Sequence, residues 1–558
     1  MIAGVFFLLL IVVIGGVVAA IVAATRRGST RDPQSVAGTA RRLVVFGLLF
    51  VLVTIAAIGV AGLLGRLLGS GNELAGSDVS ALARSLAFAL IAGPLAGVLW
   101  WFLWRSIDED EERSSLGWTL YLAAMTVVSL ITAVSSALIT ITEAVDGDFE
   151  PDALSLALVW GGIWVWHRWM TEHPARGPLS LLDLAPAIST VFGLVLATGG
   201  FAAALSALLE RAFFNGESAL AGTVWWTVAI QGLVWGLGGG AVWWWHWRRV
   251  SRVDTVLTDI AVALFGVAGL AALCLAGTGA IIYALLAWLF GEDGGSGLPG
   301  AISAAVVGAL GWAYHSGVVK NRSLGTQQAA RLLLSGMGLV TAASGIGVIV
   351  NAALDAVGTP LAGSSPSRLL AGGCAALVVG APVWWFHWKP TSPVPDEDRS
   401  STGRRIYLVA VFGVSAVVAL ITLLVIAFQV FEYALQTASA AGSLIDRVRV
   451  ALGLLVATGL VAGYHYPVWK RDRSVIVAAP SVKTINHVIL VTGSDPEPLR
   501  KVIGEATGAA VTTWHRTDTD GPGPTDEHLT SALADVTGKR VLVVTGPGAR
   551  IDVIPLAD

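Results

Sequence analysis

The sequence is poor in charge and nearly free of cysteine. Only 13% of its 558 residues are Asp, Glu, Lys or Arg, whereas 55% are hydrophobic. A soluble protein of this length could not bury so much apolar surface, so the composition indicates a membrane protein with many spans. The net charge of −3 offers no attraction to nucleic acid. Cys274 and Cys374 lie in separate apolar runs and provide neither a disulfide framework nor a zinc site.

Charged side chains are also scarce inside the apolar runs. Transporters and pumps place such groups near the bilayer midplane, but here the acidic residues stand at the ends of runs, as Glu143 and Glu432 do. The clearest polar side chain inside a run is Gln231, which we interpret as an interhelical hydrogen-bonding group rather than a substrate contact. No run carries regularly spaced arginines or resembles an ion filter, so a voltage sensor, a channel and a proton-coupled carrier are disfavoured.

Thirteen apolar runs are long enough to cross a hydrocarbon core about 30 Å thick. They lie near residues 2–24, 43–65, 83–104, 117–142, 153–170, 186–209, 222–247, 258–289, 299–319, 331–355, 369–388, 406–431 and 450–469. We interpret the first as a retained span rather than a cleaved signal peptide, because Arg26 and Arg27 follow it and no positive charge precedes it.

The basic residues predict the orientation. Of the 28 Lys and Arg residues before position 475, 22 lie in alternate connecting segments. The positive-inside rule assigns those segments to the cytoplasm. The N-terminus is therefore predicted to lie outside and the C-terminal segment in the cytoplasm, in a bacterial cell membrane.

Spans two to thirteen pair into six two-helix repeats, each ending in a related aromatic motif such as VWWWHWRR at 242–249. The predicted divisions are 1–40 for the first helix and its linker, 41–105, 117–170, 184–249, 257–320, 331–389 and 404–471 for the repeats, and 475–558 for a C-terminal domain. The anchor positions of the repeats are Leu103, His167, His246, His315, His387 and His465. Three residues before the anchor stand Trp100, Trp164, Trp243, Trp312 and Trp384, with Ala462 in the sixth repeat.

Small residues recur 14, 10 and 6 positions before each anchor. Sixteen of these eighteen residues are Gly or Ala, as at Gly232, Gly236 and Gly240. Small residues four apart form a flat stripe on which a second helix packs closely in lipid. The three small residues, the tryptophan and the anchor all lie within about 120° of arc on the helix surface. We therefore interpret the ten Trp and His anchors as helix-packing and interface residues, with the imidazole donating to a carbonyl of the neighbouring helix.

A haem or metal site is the alternative interpretation of the histidines. Each histidine belongs to a different repeat, has no second ligand four residues later and has no recurring acidic partner. We therefore predict no metal, no cofactor and no catalytic residue. The acidic run DEDEER at 108–113 is interpreted as a solvated turn rather than a site for a basic partner or divalent ions.

Two motifs together resemble a known bacterial membrane family. These are a helix end of the form P-x-W-x-x-H-W, best seen in PVWWFHWK at 382–389, and a helix start R-R-x-Y, seen in GRRIYLVAVFGV at 403–414. They are similar to the domain of unknown function (DUF) 5671 family. The resemblance implies tandem multi-helix membrane units over most of residues 40–471 and no particular activity. Leu103 in place of His and Ala462 in place of Trp depart from the pattern.

The C-terminal segment has a different composition. Residues 475–558 alternate apolar strands with amphipathic helices in the order β-α-β-α-β-β, which predicts a small α/β domain. Ser494 or Asp495 is the expected cap of its first helix, and Pro496 lies in the first turn. The glycines in VTGSDPEP and at Gly546-Pro547-Gly548 fit turns rather than a nucleotide site, because no phosphate-binding loop motif is present.

These observations predict an all-α polytopic membrane protein with a small cytoplasmic α/β domain. The leading hypothesis for function is a non-enzymatic scaffold or sensor whose C-terminal domain binds a cytoplasmic protein or small ligand. The alternative is a protein that binds or transports a lipid or another small apolar molecule. Membrane lipids are expected partners under both hypotheses.

Overall fold

The protein consists of long helices followed by a small mixed domain. The computed structural model describes residues 33–69, 79–107, 110–213, 225–292, 297–357, 365–388, 402–435, 443–478, 485, 487–516, 524–533, 536, 540–546 and 550–556. The first predicted span, most of the linker at 390–405 and the turn residues Pro547 and Gly548 lie outside the described residues. The chain divides into two compact units, residues 1–466 and 467–558.

Twelve long helices occur in the described part of the chain before the strands begin. They are α1 (Pro33–Gly69), α2 (Val79–Ser106), α3 (Leu116–Asp146), α4 (Pro151–Thr171), α5 (Leu184–Phe213), α6 (Trp225–Val250), α7 (Val256–Leu289), α8 (Leu298–Val319), α9 (Leu324–Asp355), α10 (Pro366–Trp388), α11 (Thr402–Leu435) and α12 (Leu444–Ala478). Each coincides with one of the predicted second to thirteenth apolar runs. Within the described residues, nine are long and apolar enough to cross a membrane, and α4, α6 and α12 are not among them.

Two neighbouring helix pairs pack backbone against backbone. A Cβ atom built on Gly200 of α5 would lie 2.7 Å from the carbonyl oxygen of Gly232 on α6. The equivalent atom on Gly345 of α9 would lie 2.7 Å from the carbonyl oxygen of Gly373 and 2.6 Å from the amide nitrogen of Leu377, both on α10. Real Cβ atoms never approach so closely, so both sites require glycine. The stripe residues therefore meet glycines of the preceding helix, which the sequence patterns did not identify.

The pattern of close contacts differs among the repeats. In the fourth repeat Gly277 of α7 faces the backbone of Ala301 on α8. In the first repeat, by contrast, a Cβ atom on Gly93 or Gly97 would meet nothing within 4 Å. In the last repeat Gly453 of α12 packs on Gly347 of α9, which belongs to the preceding repeat. Close packing on the stripe is thus uneven: Ala89 of the first repeat meets Gly59 of α1, whereas Gly93 and Gly97 meet nothing, and α12 takes its close contact from α9.

The acidic turn between α2 and α3 forms ion pairs within the protein. Arg42 of α1 lies 3.0 Å from Glu111 and 2.7 Å from Glu112, measured between nitrogen and carboxylate oxygen atoms. Arg113 pairs with Asp110 at 3.1 Å and also donates to backbone carbonyls of the turn after α4. The described part of DEDEER therefore connects helix ends to each other, while the side chains of Asp110 and Glu111 stay 86% and 76% exposed.

One arginine of the turn between α8 and α9 is buried against the connection between α6 and α7. Arg322, whose side chain is 3% exposed, donates to the carbonyl oxygens of Val250 and Val253 at 2.6 Å each. It also forms ion pairs with Asp254 and, at 3.4 Å, with Asp259. The last carbonyls of a helix have no partner within the helix, so Arg322 satisfies the end of α6 and holds the connection in place.

A second ionic group connects the end of α7 to the start of α10. Glu292 accepts hydrogen bonds from the hydroxyls of Ser365 and Ser367 at 2.5 and 2.6 Å and pairs with Arg368 at 2.7 Å. Hydrogen bonds from Ser365, Ser367 and Arg368 lower the pKa of Glu292 from 4.5 to about 2. They do so because each of these donors stabilises the charged carboxylate.

Glu292 is expected to make the protein sensitive to acid. Because its pKa is lower in the folded chain than in the unfolded one, its stabilising contribution is complete above pH 4.5 and is lost as the pH falls towards 2. We expect the melting temperature of detergent-solubilised wild type to fall more steeply between pH 5 and pH 3 than that of Glu292→Gln. Parallel pH profiles for the two proteins would contradict this assignment.

The C-terminal unit contains a four-stranded sheet in the order β2-β1-β3-β4. Its elements are β1 (His487–Thr492), α13 (Pro496–Thr507), β2 (Ala510–His515), α14 (Asp526–Leu533), β3 (Arg540–Gly546) and β4 (Arg550–Leu556). The first three strands are parallel and β4 is antiparallel to β3. Asp495 caps α13 by accepting from the backbone of Glu497, and Pro496 begins the helix. The predicted element order and this cap are both confirmed.

Candidate functional site

The five anchor histidines share one hydrogen bond. In each ring Nδ1 lies 2.8 or 2.9 Å from the carbonyl oxygen four residues earlier on the same helix. The carbonyl oxygen can only accept, so Nδ1 donates in each ring, and Nε2 is the acceptor in the neutral form of the ring. The expected donation to a neighbouring helix is wrong. The bond stays within the helix because helical side chains point back towards the N-terminus.

Alternate anchors have different surroundings. His167, His315 and His465 lie near the ends of α4, α8 and α12 and are 0%, 2% and 0% exposed. His246 is 8% exposed and His387 is half-buried. The three most buried rings each lie in an aromatic cluster to which the preceding repeat contributes two tryptophans. We name these the α4, α8 and α12 clusters after the helix that supplies the histidine.

The α4 cluster contains Trp100, Trp104, Tyr121, Trp166 and His167. Trp100 and Trp104 of α2 stack with ring centroids 5.4 Å apart, and Trp100 lies 5.1 Å from Trp166. The hydroxyl oxygen of Tyr121 lies 3.0 Å from Nε2 of His167. Because Nδ1 already carries the proton, Tyr121 is the donor in this bond. Leu103, the first anchor, packs on the same core.

The α8 cluster contains Trp243, Trp247, Tyr314 and His315. Trp243 and Trp247 of α6 stack at 5.5 Å, in the same way as the pair on α2. The indole of Trp247 donates to the hydroxyl of Tyr314 at 2.7 Å and lies 4.9 Å from the ring of His315. A Cβ atom on Gly266 would lie 2.5 Å from Cδ2 of His315, so α7 has no side chain at this contact.

The α12 cluster contains Trp384, Trp388, Tyr407, Tyr464 and His465. The indole of Trp388 donates to the hydroxyl of Tyr464 at 3.0 Å, which repeats the Trp247–Tyr314 bond of the α8 cluster. Tyr407 of α11 stacks on Trp388 at 4.9 Å. His465 lies 5.0 Å from Tyr464 and 5.4 Å from Trp388.

The chemistry available in these clusters is limited. Across the described residues, no group of three or more His, Cys, Asp or Glu residues is placed to hold a metal ion. In the same part of the chain, the buried Nε2 atoms of His315 and His465 have no hydrogen-bond partner. Each cluster thus offers one imidazole among aromatic rings, and in the α4 cluster the hydroxyl of Tyr121 bonds to that imidazole. Such an arrangement positions helix ends.

The two remaining predicted tryptophans lie beside the clusters. Trp164 of α4 and Trp312 of α8 are half-buried, and their indole nitrogens are buried with no hydrogen-bond partner in the described part of the chain. Trp312 packs against the apolar core that surrounds Trp247. The structure therefore places Trp312 on a helix-packing surface, and neither tryptophan is among the residues that line the cavity described below.

Gln231 connects two helices. Its side-chain nitrogen donates to Asp146 at 2.6 Å and to the carbonyl oxygen of Thr142 at 3.4 Å, both at the end of α3. The adjacent Gly232 and Gly236 pack tightly on Ala204 and Phe201 of α5. The glycines beside Gln231 could make α6 flexible enough to act as a gate for a transported molecule. The close helix contacts at this position count against that role.

A cavity of about 1250 Å³ lies elsewhere, among α7, α9, α10, α11 and α12. Its wall is formed mainly by Ala, Gly, Leu and Val side chains, with Asn351, Tyr407 and Ser415 among the few polar groups. The cavity runs between α11 and α12, the two helices of the sixth predicted repeat. This volume exceeds that of ordinary small-molecule pockets, which is about 300–1,000 Å³.

Sequence patterns did not identify the tyrosines that complete two clusters. Tyr121 and Tyr407 come from the starts of α3 and α11, and each meets the histidine of the following helix. The signal for Tyr407 is the R-R-x-Y helix start at Arg404 to Tyr407. The cavity had no such signal, because its lining residues are spread over five helices.

Comparison with known proteins identifies a family and no activity. The family model described as "Domain of unknown function (DUF5671)" matches residues 42–162 and 328–460. Each match begins in the first helix of a four-helix segment and ends in the fourth, five residues before His167 and His465 respectively. The resemblance indicated by the sequence motifs is thus confirmed. No curated protein and no solved structure matches the chain.

Proposed function

Because two segments of this chain belong to the DUF5671 family, we propose that the membrane part consists of three four-helix units. Residues 163–327 lie between the two matches. They contain the end of α4, which completes the first unit, and helices α5 to α8, which form the second unit. The α8 cluster supports this division. Its stacked tryptophan pair repeats that of the α4 cluster, and its Trp–Tyr bond repeats that of the α12 cluster. The positive-inside distribution supports our proposal that the cluster ends and the C-terminal domain face the cytoplasm, in a bacterial cell.

The function that we propose is a non-enzymatic membrane scaffold or sensor whose C-terminal domain binds a cytoplasmic protein. The observation that carries it is strand β2, at the edge of the sheet. Five of its six residues are exposed, including Trp514, whose side chain is 59% exposed. An edge strand offers unpaired backbone groups to an incoming strand, and an exposed tryptophan is a frequent anchor of protein interfaces.

Photo-crosslinking tests this surface in the full-length protein. We expect a crosslinking amino acid at position 514 to trap one discrete protein in cells, whereas the same amino acid at Glu505, an exposed position on α13, should not. With that protein purified, Trp514→Ala should weaken binding to the full-length chain by about 30-fold, the effect of losing about 2 kcal/mol at an interface anchor. Equal trapping at both positions, or unchanged affinity in the variant, would refute the assignment.

The second candidate function is the binding of a lipid or another apolar molecule within the membrane part. The cavity among α7 and α9 to α12 favours it, because its lining is almost wholly apolar and its volume suits a molecule larger than a common metabolite. Transport through α6 is disfavoured by the tight packing at Gln231 and Gly236. We therefore place ligand binding between α11 and α12.

A further inference from the structure

The cavity extends along most of the membrane-spanning length of α9. Its lining on that helix runs from Leu332 to Asn351, a distance of roughly 28 Å at the rise of an α-helix. This is close to the thickness of the hydrocarbon core. Small residues such as Gly279 on α7 and Ala376 on α10 widen the cavity. A long, flexible hydrocarbon chain fits this shape, whereas a compact polar metabolite does not.

An ion pair between Arg449 and Asp355 lies beside one end of the cavity. Asn351 lines the cavity and accepts a hydrogen bond from Nη1 of Arg449 at 3.2 Å. The same nitrogen lies 3.1 Å from Oδ1 of Asp355, whose side chain is 2% exposed. Arg449 directly precedes Val450, a cavity-lining residue of α12. The ion pair thus stands where the apolar wall ends, at the end of the helices predicted to face outwards.

The ion pair has unused hydrogen-bonding capacity. The other carboxylate oxygen of Asp355, Oδ2, is buried, and no group in the described part of the chain bonds to it. A buried carboxylate oxygen without a donor is costly. Both described contacts of Arg449 use Nη1, whereas a guanidinium carries donors on three nitrogen atoms and suits a phosphate group. A ligand with a phosphate and an N–H donor would match both side chains.

We propose that the cavity binds a phospholipid with an amine headgroup, of the phosphatidylethanolamine class. Its acyl chains lie along α9 and between α11 and α12. Its phosphate accepts from Arg449, and its ammonium group donates to Oδ2 of Asp355. This inference rests on the second candidate function, binding of an apolar molecule by the membrane part, and adds the identity of the headgroup.

Native mass spectrometry of the full-length protein tests the proposal. The protein is washed extensively in mild detergent and then exposed to equal amounts of phosphatidylethanolamine and phosphatidylcholine with identical acyl chains. Phosphatidylcholine keeps the phosphate but has no N–H donor. We expect one phosphatidylethanolamine per chain and a preference of about tenfold, the effect of one hydrogen bond to a charged group.

Three variants separate the cavity from the headgroup site. Gly279→Leu places a side chain in the path of the acyl chains, since a Cβ atom there would meet only Val379 at 4.0 Å, and it should abolish binding. Gly162→Leu is the matched control on α4, because residue 162 is exposed and a Cβ atom would meet nothing within 4 Å. Asp355→Asn should retain a lipid but lose the preference for phosphatidylethanolamine.

The outcomes distinguish the two levels of the proposal. Binding without headgroup preference, lost in Gly279→Leu, overturns the headgroup assignment and leaves apolar-ligand binding intact. Binding that persists in Gly279→Leu, or that washes away equally from all variants as a boundary lipid does, overturns both. Preference that survives in Asp355→Asn overturns the role of Asp355 alone.

Discussion

Replacement of Gly200 by valine is expected to destabilise the membrane part strongly. A Cβ atom at this position would overlap the backbone nitrogen of Gly236 and lie 2.7 Å from the carbonyl oxygen of Gly232. Neither atom can move without shifting α6, because backbone atoms have no alternative rotamers. Overpacking of this kind costs about 3 kcal/mol. We expect a markedly lower midpoint in thermal unfolding followed by fluorescence-detected size exclusion.

The adjacent residue provides a control in the same helix. Gly199 is exposed, and a Cβ atom there would meet nothing within 4 Å. Gly199→Val makes the same chemical change in the same local sequence, including the same effect on helix propensity. It should therefore leave the unfolding midpoint close to that of wild type. Similar losses in the two variants would show that α5 and α6 are not in backbone contact at Gly200.

The fold was predictable from the sequence to the level of helices and strands. A bilayer requires about 20 apolar residues for each crossing, so each of α1 to α12 overlaps one apolar run, although α1 begins ten residues before its run and α12 ends nine residues after its run. The contacts between helices were harder to predict from the sequence. The small-residue stripe recurs in all six repeats, with leucine at only two of its eighteen positions, yet Gly236 packs closely on Phe201 of α5 whereas a Cβ atom on Gly97 would meet nothing within 4 Å. Contact depends on the partner helix, and the partner glycines follow no motif shared with the stripe.

The sequence identified individual residues of the candidate site but not how the structure groups them. The motifs identified every anchor histidine but gave all of them one role. In the structure His315 is enclosed by Trp243, Trp247 and Tyr314, whereas His387 is half-buried. The difference arises because the tryptophans of one repeat pack on the histidine of the next. That relation recurs every four helices, which is the number of helices that each family match spans, and a search for two-helix repeats does not reveal it.

Replacement of Arg322 by alanine is expected to release the connection between α6 and α7. The guanidinium is 3% exposed and serves two backbone carbonyls, Val250 and Val253, together with the carboxylates of Asp254 and Asp259. The hydroxyl of Thr258 also donates to the carbonyl oxygen of Val253 at 2.6 Å, so only part of the bonding at that carbonyl is lost. Removing one partner of a buried charged group leaves the others unsatisfied and costs about 3–5 kcal/mol. The unfolding midpoint should fall, and trypsin should cleave after Arg252 in the otherwise folded protein.

Two further variants give this experiment its specificity. Lys320→Ala removes an exposed positive charge two residues earlier on the chain and should change neither the unfolding midpoint nor the cleavage. Arg322→Lys retains the charge, but a single ammonium group cannot reach both carbonyls in the geometry of the planar fork, so it should recover only part of the stability. Full recovery with lysine would show that charge alone holds the connection. Resistance of Arg322→Ala to trypsin would show that the end of α6 is held by other contacts.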